Sequence, residues 1–183
     1  MQNINAEPGR LAALHGYSIL DTPPEPEFDD IVKQAARLLG TPIALISLID
    51  ERRQWFKARI GLSVQETPRS LAFCAHAIAG DGVMIVDDAS KDPRFMNNPL
   101  VLFDPSIRFY AGAVLEDRGG HRLGTICVID QQPRAGLSPD QIATLQGLGK
   151  LVIDVIEERQ RKLRDLASPP NNQDDHQHPQ RRG

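Results

Sequence analysis

The chain has 183 residues, enough for one domain of ordinary size with a tail and short for two. Hydrophobic residues make up 40% and charged residues 25%, which fits a folded globular protein and argues against a disordered or membrane-embedded one. A formal net charge of -3 gives no electrostatic footprint for nucleic acid or an anionic membrane, and positive charge clusters only at Arg181 and Arg182.

The apolar runs 43–49 and 151–156 fall well short of the roughly 20 residues that span a bilayer. Residues 1–10 are polar and lack the basic-then-apolar order of a secretory signal, so a cytoplasmic location is expected. Cys74 and Cys127 are then expected to be reduced thiols, and two cysteines are too few for a four-cysteine zinc site.

Residues 7–15 read as a short helix, and Asp21-Thr22-Pro23-Pro24 stops it. Phe28, Ile31, Val32, Ala35, Leu38 and Leu39 follow 3-4 spacing and predict a second helix over 28–39, ended by Gly40. Residues 42–50 are apolar at nearly every position, as in a strand buried on both faces. A turn then leads to an alternating strand over 54–60, with Trp55 and Phe56 on opposite faces. A third helix is predicted over 70–79, a strand over 83–86, a long Pro-rich connection over 87–106, and strands over 107–115 and 121–130. Ser138-Pro139-Asp140 opens a long helix expected to reach about Leu166. The order predicts an α+β fold, a five- to six-stranded antiparallel sheet flanked by helices. The domain is expected over 1–166, with N-terminal helices in 7–39, a core in 42–137 and a terminal helix in 138–166. The tail, 167–183, lacks large apolar residues and is expected to be disordered, with His176 and His178 solvated.

Several stretches in this order resemble the GAF domain family, in particular GAF domains N-terminal in bacterial histidine kinases and diguanylate cyclases. They are residues 10–24, Trp55-Phe56-Lys57, Phe73-Cys74-Ala75-His76-Ala77, Asp92-Pro93-Arg94-Phe95, Asn98-Pro99, Ile107-Arg108-Phe109-Tyr110-Ala111-Gly112 and residues 124–130. The resemblance covers roughly residues 7–160 and implies a profilin/PAS-like sheet with a pocket on one face and dimerisation through terminal helices. It fixes the fold better than the ligand.

The connection 87–106 carries Phe95, Met96, Leu100, Val101, Leu102 and Phe103, too much apolar surface to leave in water, and is expected to fold over the sheet as a lid. Asp92, Arg94, Phe95 and Asn98 are therefore candidate ligand-binding residues. The alternative is that Asp92 caps a turn and Arg94 pairs with a carboxylate. Arg108 and Tyr110 share a strand face and are candidates if that face looks inward, where Arg108 can present its planar fork to an anion. Phe73, Cys74 and His76 complete the set, although Cys74 as a buried small hydrophobe and His76 as a structural histidine both fit. No metal site, phosphate loop, paired catalytic acids or Ser/His/Asp order can be assembled, so no catalytic residue is assigned and the chain is not expected to be an enzyme.

Three family branches are disfavoured. The branch that reduces free methionine sulfoxide needs a thiol in the loop before the penultimate strand, and 87–106 has none. Covalent bilin needs a cysteine after the loop aspartate motif, and none follows until Cys127. The pattern of cyclic-nucleotide binders is not intact, and haem is unsupported, which leaves the cofactor unknown.

Ile142, Leu145, Gly149, Val152, Ile156, Arg159, Leu163 and Leu166 are spaced 3 and 4 apart, the spacing of a two-helix seam. The first half is expected to pack in part on the chain's own sheet, while the charged segment beyond Ile156 suits a dimer stalk. The resulting expectation is a stand-alone sensory or regulatory domain that binds a small molecule and signals through a homodimeric stalk at 138–166. Its partner would be a kinase, cyclase or other signalling protein. The alternatives are an interaction module without a ligand and a small thiol oxidoreductase using Cys74.

Overall fold

Pro26 occupies the first turn of a helix whose buried residues are Phe28, Ile31, Val32, Ala35 and Leu39, the 3-4 stripe the sequence predicts. Gly40 closes it in the left-handed conformation at φ 64. In this computed structural model, which describes residues 6–168, that helix is α2 (Pro26–Leu39), preceded by α1 (Ala6–Gly16). The strands are β1 (Ile43–Ile49), β2 (Arg53–Ile60), β3 (Glu66–Pro68), β4 (Val83–Val86), β5 (Phe109–Glu116) and β6 (Arg122–Asp130). Between them lie two short helices, α3 (Phe73–Ala77) and α4 (Pro99–Leu102), and the chain continues into α5 (Pro139–Ala167).

The strands form one sheet in the order β3-β2-β1-β6-β5-β4, every neighbouring pair antiparallel. All seven residues of β1 are buried, as its unbroken apolar run predicts. On one face, Ala44, Ile46, Phe109 and Val128 pack against α2 and α5. On the other, Leu45, Phe56, Tyr110 and Ile129 lie under α3 and the segment 87–107. Trp55 and Phe56 do fall on opposite faces.

Four elements differ from the sequence reading. The predicted helix over 70–79 is a single 3-10 turn at Arg69–Leu71 followed by α3, because Ala72 is extended at φ -77, ψ 120. Strand β3 was not predicted: three residues ending in proline carry no alternation, and they sit at the sheet edge where a missing N–H is tolerated. The connection 87–106 is not without structure, since Asn98 caps α4 by accepting from the Leu100 N–H at 2.9 Å. The fifth strand starts at Phe109 rather than at 107.

Helix α5 begins with a capping box between Ser138 and Gln141. Leu145, Gly149, Val152 and Ile156 of its 3-4 stripe are buried against the chain's own sheet, so that part of the stripe is not a free seam. Arg159 donates to the Glu25 carboxylate at 3.0 Å and to the Ser18 carbonyl at 3.0 Å. Leu163 and Leu166 are exposed. Expectations for the tail beyond residue 168, with His176, His178, Arg181 and Arg182, lie outside the described residues.

Candidate functional site

The segment 87–107 buries Phe95, Val101 and Ile107 over the second sheet face, as a lid would. Between that segment, the β2–β3 loop and α3 lies a half-closed cavity of about 140 Å³. Its floor is sheet: Leu45, Phe56, Tyr110 and Ile129. Leu62 and Val64 wall it from the β2–β3 loop, Phe73 and Cys74 from α3, and Leu100 and Ile107 from the lid. Among the lining residues only Asp104, itself exposed, carries charge. A void of about 150 Å³ lined by apolar side chains accepts a benzene-sized guest. Broader depressions exist, such as one of about 430 Å³ beside α2 and β2, but they are more open to solvent.

Polar groups gather at the sheet side of this cavity. Ser47 donates to Gln54 Oε1 at 2.8 Å, and Gln54 donates to Thr67 at 3.0 Å, tying the edge strand β3 to the floor. Tyr110 donates its phenol proton to Cys74 Sγ at 3.3 Å, and Cys74 Sγ stands 3.9 Å from Cys127 Sγ. Both thiols are free and buried. Gly112, two residues along β5, leaves room for the Tyr110 ring: a Cβ there would lie 2.2 Å from the Tyr110 hydroxyl. Thr125 Oγ1 is the buried side-chain oxygen that has no partner among the described residues.

Burial opposes ionisation of Cys74, yet the contacts with the Cys127 thiol and the Tyr110 hydroxyl, with Thr125 nearby, lower its pKa to about 7. Ser47 also lies nearby, but its one proton goes to Gln54. Cys127 moves up, because its hydrogen bond to Cys74, its burial and the Cys74 charge all disfavour a second thiolate.

Of the nine sequence candidates, Phe73, Cys74 and Tyr110 line the cavity. Phe95 stands behind Phe73, the rings stacked at 4.0 Å and 9°. His76 is exposed and meets Phe95 edge-on at 4.9 Å. Burial, and then the Arg94 charge, push its pKa down. Asp92 and Arg94 pair with each other at 2.7 Å, and Asp92 also accepts from the Arg94 backbone N–H at 2.9 Å. Asn98 is occupied by its cap and by the Leu71 carbonyl at 3.0 Å. Arg108 immediately precedes β5, and its guanidinium donates to the carbonyls of Val101 at 2.9 Å and Ile107 at 3.0 Å. It fastens the lid. The walls supplied by Leu62, Val64 and Thr67 carry no sequence signal, since neither the loop after Gly61 nor a three-residue edge strand shows a periodic pattern; the all-apolar run of β1 is the cue for Ile43 and Leu45.

Among the described residues, no three His, Cys, Asp or Glu side chains come together as metal ligands. No helix among them is long and apolar enough to cross a membrane.

The family model for the GAF domain matches residues 23–155. The chain belongs to the GAF family. This GAF domain is 46% identical over 147 residues to the cyclic di-GMP phosphodiesterase PA2567 of Pseudomonas aeruginosa, a match covering 80% of the chain and 25% of that protein. The chain thus spans a quarter of that relative's length. Among solved structures, it is similar to the GAF domain of an Acinetobacter phosphoenolpyruvate-protein phosphotransferase, with a TM-score of 0.60 and 20% identity over 90% of this chain and 99% of that one. A free methionine-R-sulfoxide reductase of Neisseria meningitidis gives a TM-score of 0.59 at 14% identity, over 86% and 89% of the two chains. At these identities the likeness is one of fold.

Proposed function

We propose that this GAF domain is a regulatory sensor that takes a small, neutral, largely apolar molecule into the cavity under the 87–107 lid and signals occupancy through α5. The observation that carries the reading is the cavity itself: about 140 Å³, walled by side chains from the floor, the lid and α3, with charge only at its exposed rim. A contiguous route to α5 supports the signalling half. Phe56 lines the cavity, its neighbour Lys57 pairs with Glu25, and Arg159 of α5 holds the same carboxylate. Differential packing of these groups in the filled and empty states is what would bias the helix. The exposed end of α5, with Leu163 and Leu166, supports a homodimer, and the phosphodiesterase relative supports a signalling enzyme as the recipient. The role assigned is binding, with no turnover.

The test is native mass spectrometry of the protein purified gently from its own organism, alongside the Leu45→Phe variant, whose larger side chain fills the hollow. The expected result is a bound small molecule on the wild type and none on the folded variant. The compound, resupplied at about 100 times its Kd, should stabilise the wild type by about 2.7 kcal/mol. A wild type without adduct, unmoved by a panel of compounds of this size, leaves the ligand-free interaction module as the reading.

A further inference from the structure

We propose that Cys74 and Cys127 form a redox-responsive pair, oxidised reversibly to an intramolecular disulfide by a hydroperoxide that enters through the cavity. The inference goes beyond ligand sensing and does not require it. Four observations converge. The two sulfurs stand 3.9 Å apart, within sulfur hydrogen-bond distance, one on α3 and one on the central strand β6. Cys74 lines the cavity, so a molecule the size of hydrogen peroxide meets a thiol there although the surface of the protein conceals it. Tyr110 donates to Cys74 rather than accepting from it, the polarity that supports a thiolate. Thr125, fully buried with an unpartnered hydroxyl beside the pair, supplies a further donor when charge develops on sulfur.

The step balances as follows. The Cys74 thiolate attacks one oxygen of the hydroperoxide, an S–O bond forms, the O–O bond breaks, and the departing oxygen takes a proton to leave as alcohol or water. Cys74 is now a sulfenic acid. The Cys127 sulfur, giving up its proton, attacks Cys74 Sγ; the S–S bond forms, the S–O bond breaks, and water departs. Two electrons pass from the pair to the hydroperoxide, and a dithiol reductant reverses the change. The opposite displacement of the two thiols' acidities suits these roles, with Cys74 as the attacking sulfur and Cys127 as the resolving one. Bonding requires the sulfurs to close to about 2 Å, which draws Cys74, and with it the cavity wall at Phe73, toward the sheet.

The test exposes the full folded chain to hydrogen peroxide, then denatures it in the presence of a thiol-alkylating reagent and maps the peptides. The expected result is one cross-linked pair of peptides containing Cys74 and Cys127, lost on treatment with dithiothreitol. Cys127→Ser should stop at a Cys74 sulfenic acid trapped by dimedone, and Cys74→Ser should leave Cys127 a free thiol. Both cysteines alkylating in full, under peroxide that oxidises a free cysteine peptide in the same tube, would overturn the proposal. So would cross-links that appear only after the protein has been unfolded. Because Cys→Ser variants can lose stability, circular dichroism on each confirms the fold, and the wild-type map decides the matter alone.

Discussion

The Lys57 ammonium and the Glu25 carboxylate form an ion pair in which the lysine side chain is fully withdrawn from solvent and the glutamate is 33% exposed. Lys57 also donates to Thr22 Oγ1 at 2.9 Å and to the Pro23 carbonyl at 2.8 Å, and sits 5.2 Å from the centre of the Phe28 ring. It lies at the irregularity in β2 where Ile46 pairs with Ala58 and Ser47 with Phe56, which turns its side chain toward the linker before α2. Lys57 is thus a buried charge whose ammonium is surrounded by partners from its own chain.

Removing Glu25 leaves that charge buried with neutral partners. Glu25→Ala should destabilise the fold by about 2 kcal/mol, below the range for a wholly dry pair because the carboxylate keeps some solvent. Adding Lys57→Met should restore part of the loss, since the stranded charge then disappears. Urea unfolding of the two single variants and the double variant gives the comparison. A double variant as unstable as the sum of the singles would refute the coupling.

A second carboxylate ties α1 to the rest of the domain. The Arg10 hydrogen bond, working against burial and assisted by Arg69, lowers Glu7 from 4.5 to about 2. Its folded pKa lies below the unfolded value, so its contribution is fully present above the unfolded value and fades as pH falls from about 4.5 toward 2. Glu7→Gln should therefore be less stable than the wild type near neutrality and should converge on it in acid. Urea midpoints measured at about pH 6 and about pH 3 test this. A gap that stays constant between the two would show that Glu7 acts through packing rather than charge.

These two ion pairs mark the limit of what the sequence reveals. Helix α2 and strand β1 were legible because a stripe of apolar residues, or an unbroken run of them, reports burial directly. Lys57 carries the opposite cue: a lysine in an alternating strand reads as solvent-facing, and its partners lie more than thirty positions away. The partners of Arg108 were illegible for a related reason: the carbonyls that bind it belong to the lid, whose course no local pattern encodes. The stripe on α5 was legible as a stripe, and its first half packs on the sheet as expected, but the spacing alone does not say where a sheet contact ends and a seam begins. Leu145, Val152 and Ile156 pack on the chain's own sheet, and the same 3-4 spacing serves either a sheet or a second helix.

Two glycines in the sheet should differ sharply in their tolerance of a methyl group. A Cβ on Gly124 would lie 1.8 Å from the Ser47 carbonyl oxygen, part of the backbone of β1. Gly124→Ala should cost at least about 3 kcal/mol and should reduce soluble yield. At Gly112 the obstacle is the tip of the Tyr110 side chain, so Gly112→Ala should cost less, about 1–2 kcal/mol, while pushing the phenol off Cys74. Urea unfolding ranks the two. Equal losses would mean that Tyr110 has no freedom to yield.

The far end of α5 carries the remaining prediction. Leu163 is 42% exposed and Leu166 84% exposed, on a helical segment otherwise rich in charge. Neither belongs to the buried clusters that hold the fold together. Leu163→Glu with Leu166→Glu should therefore leave the unfolding temperature of the isolated subunit nearly unchanged, because surface substitutions away from packing contacts fall within about 0.5 kcal/mol. If these leucines close a helical seam between two copies, placing like charges in it should convert the dimer to monomer. Sedimentation of wild type and variant at matched concentrations reads this directly. A wild type that sediments as a monomer, or a variant that stays dimeric, would remove α5 from the assembly and leave its exposed leucines to a different partner.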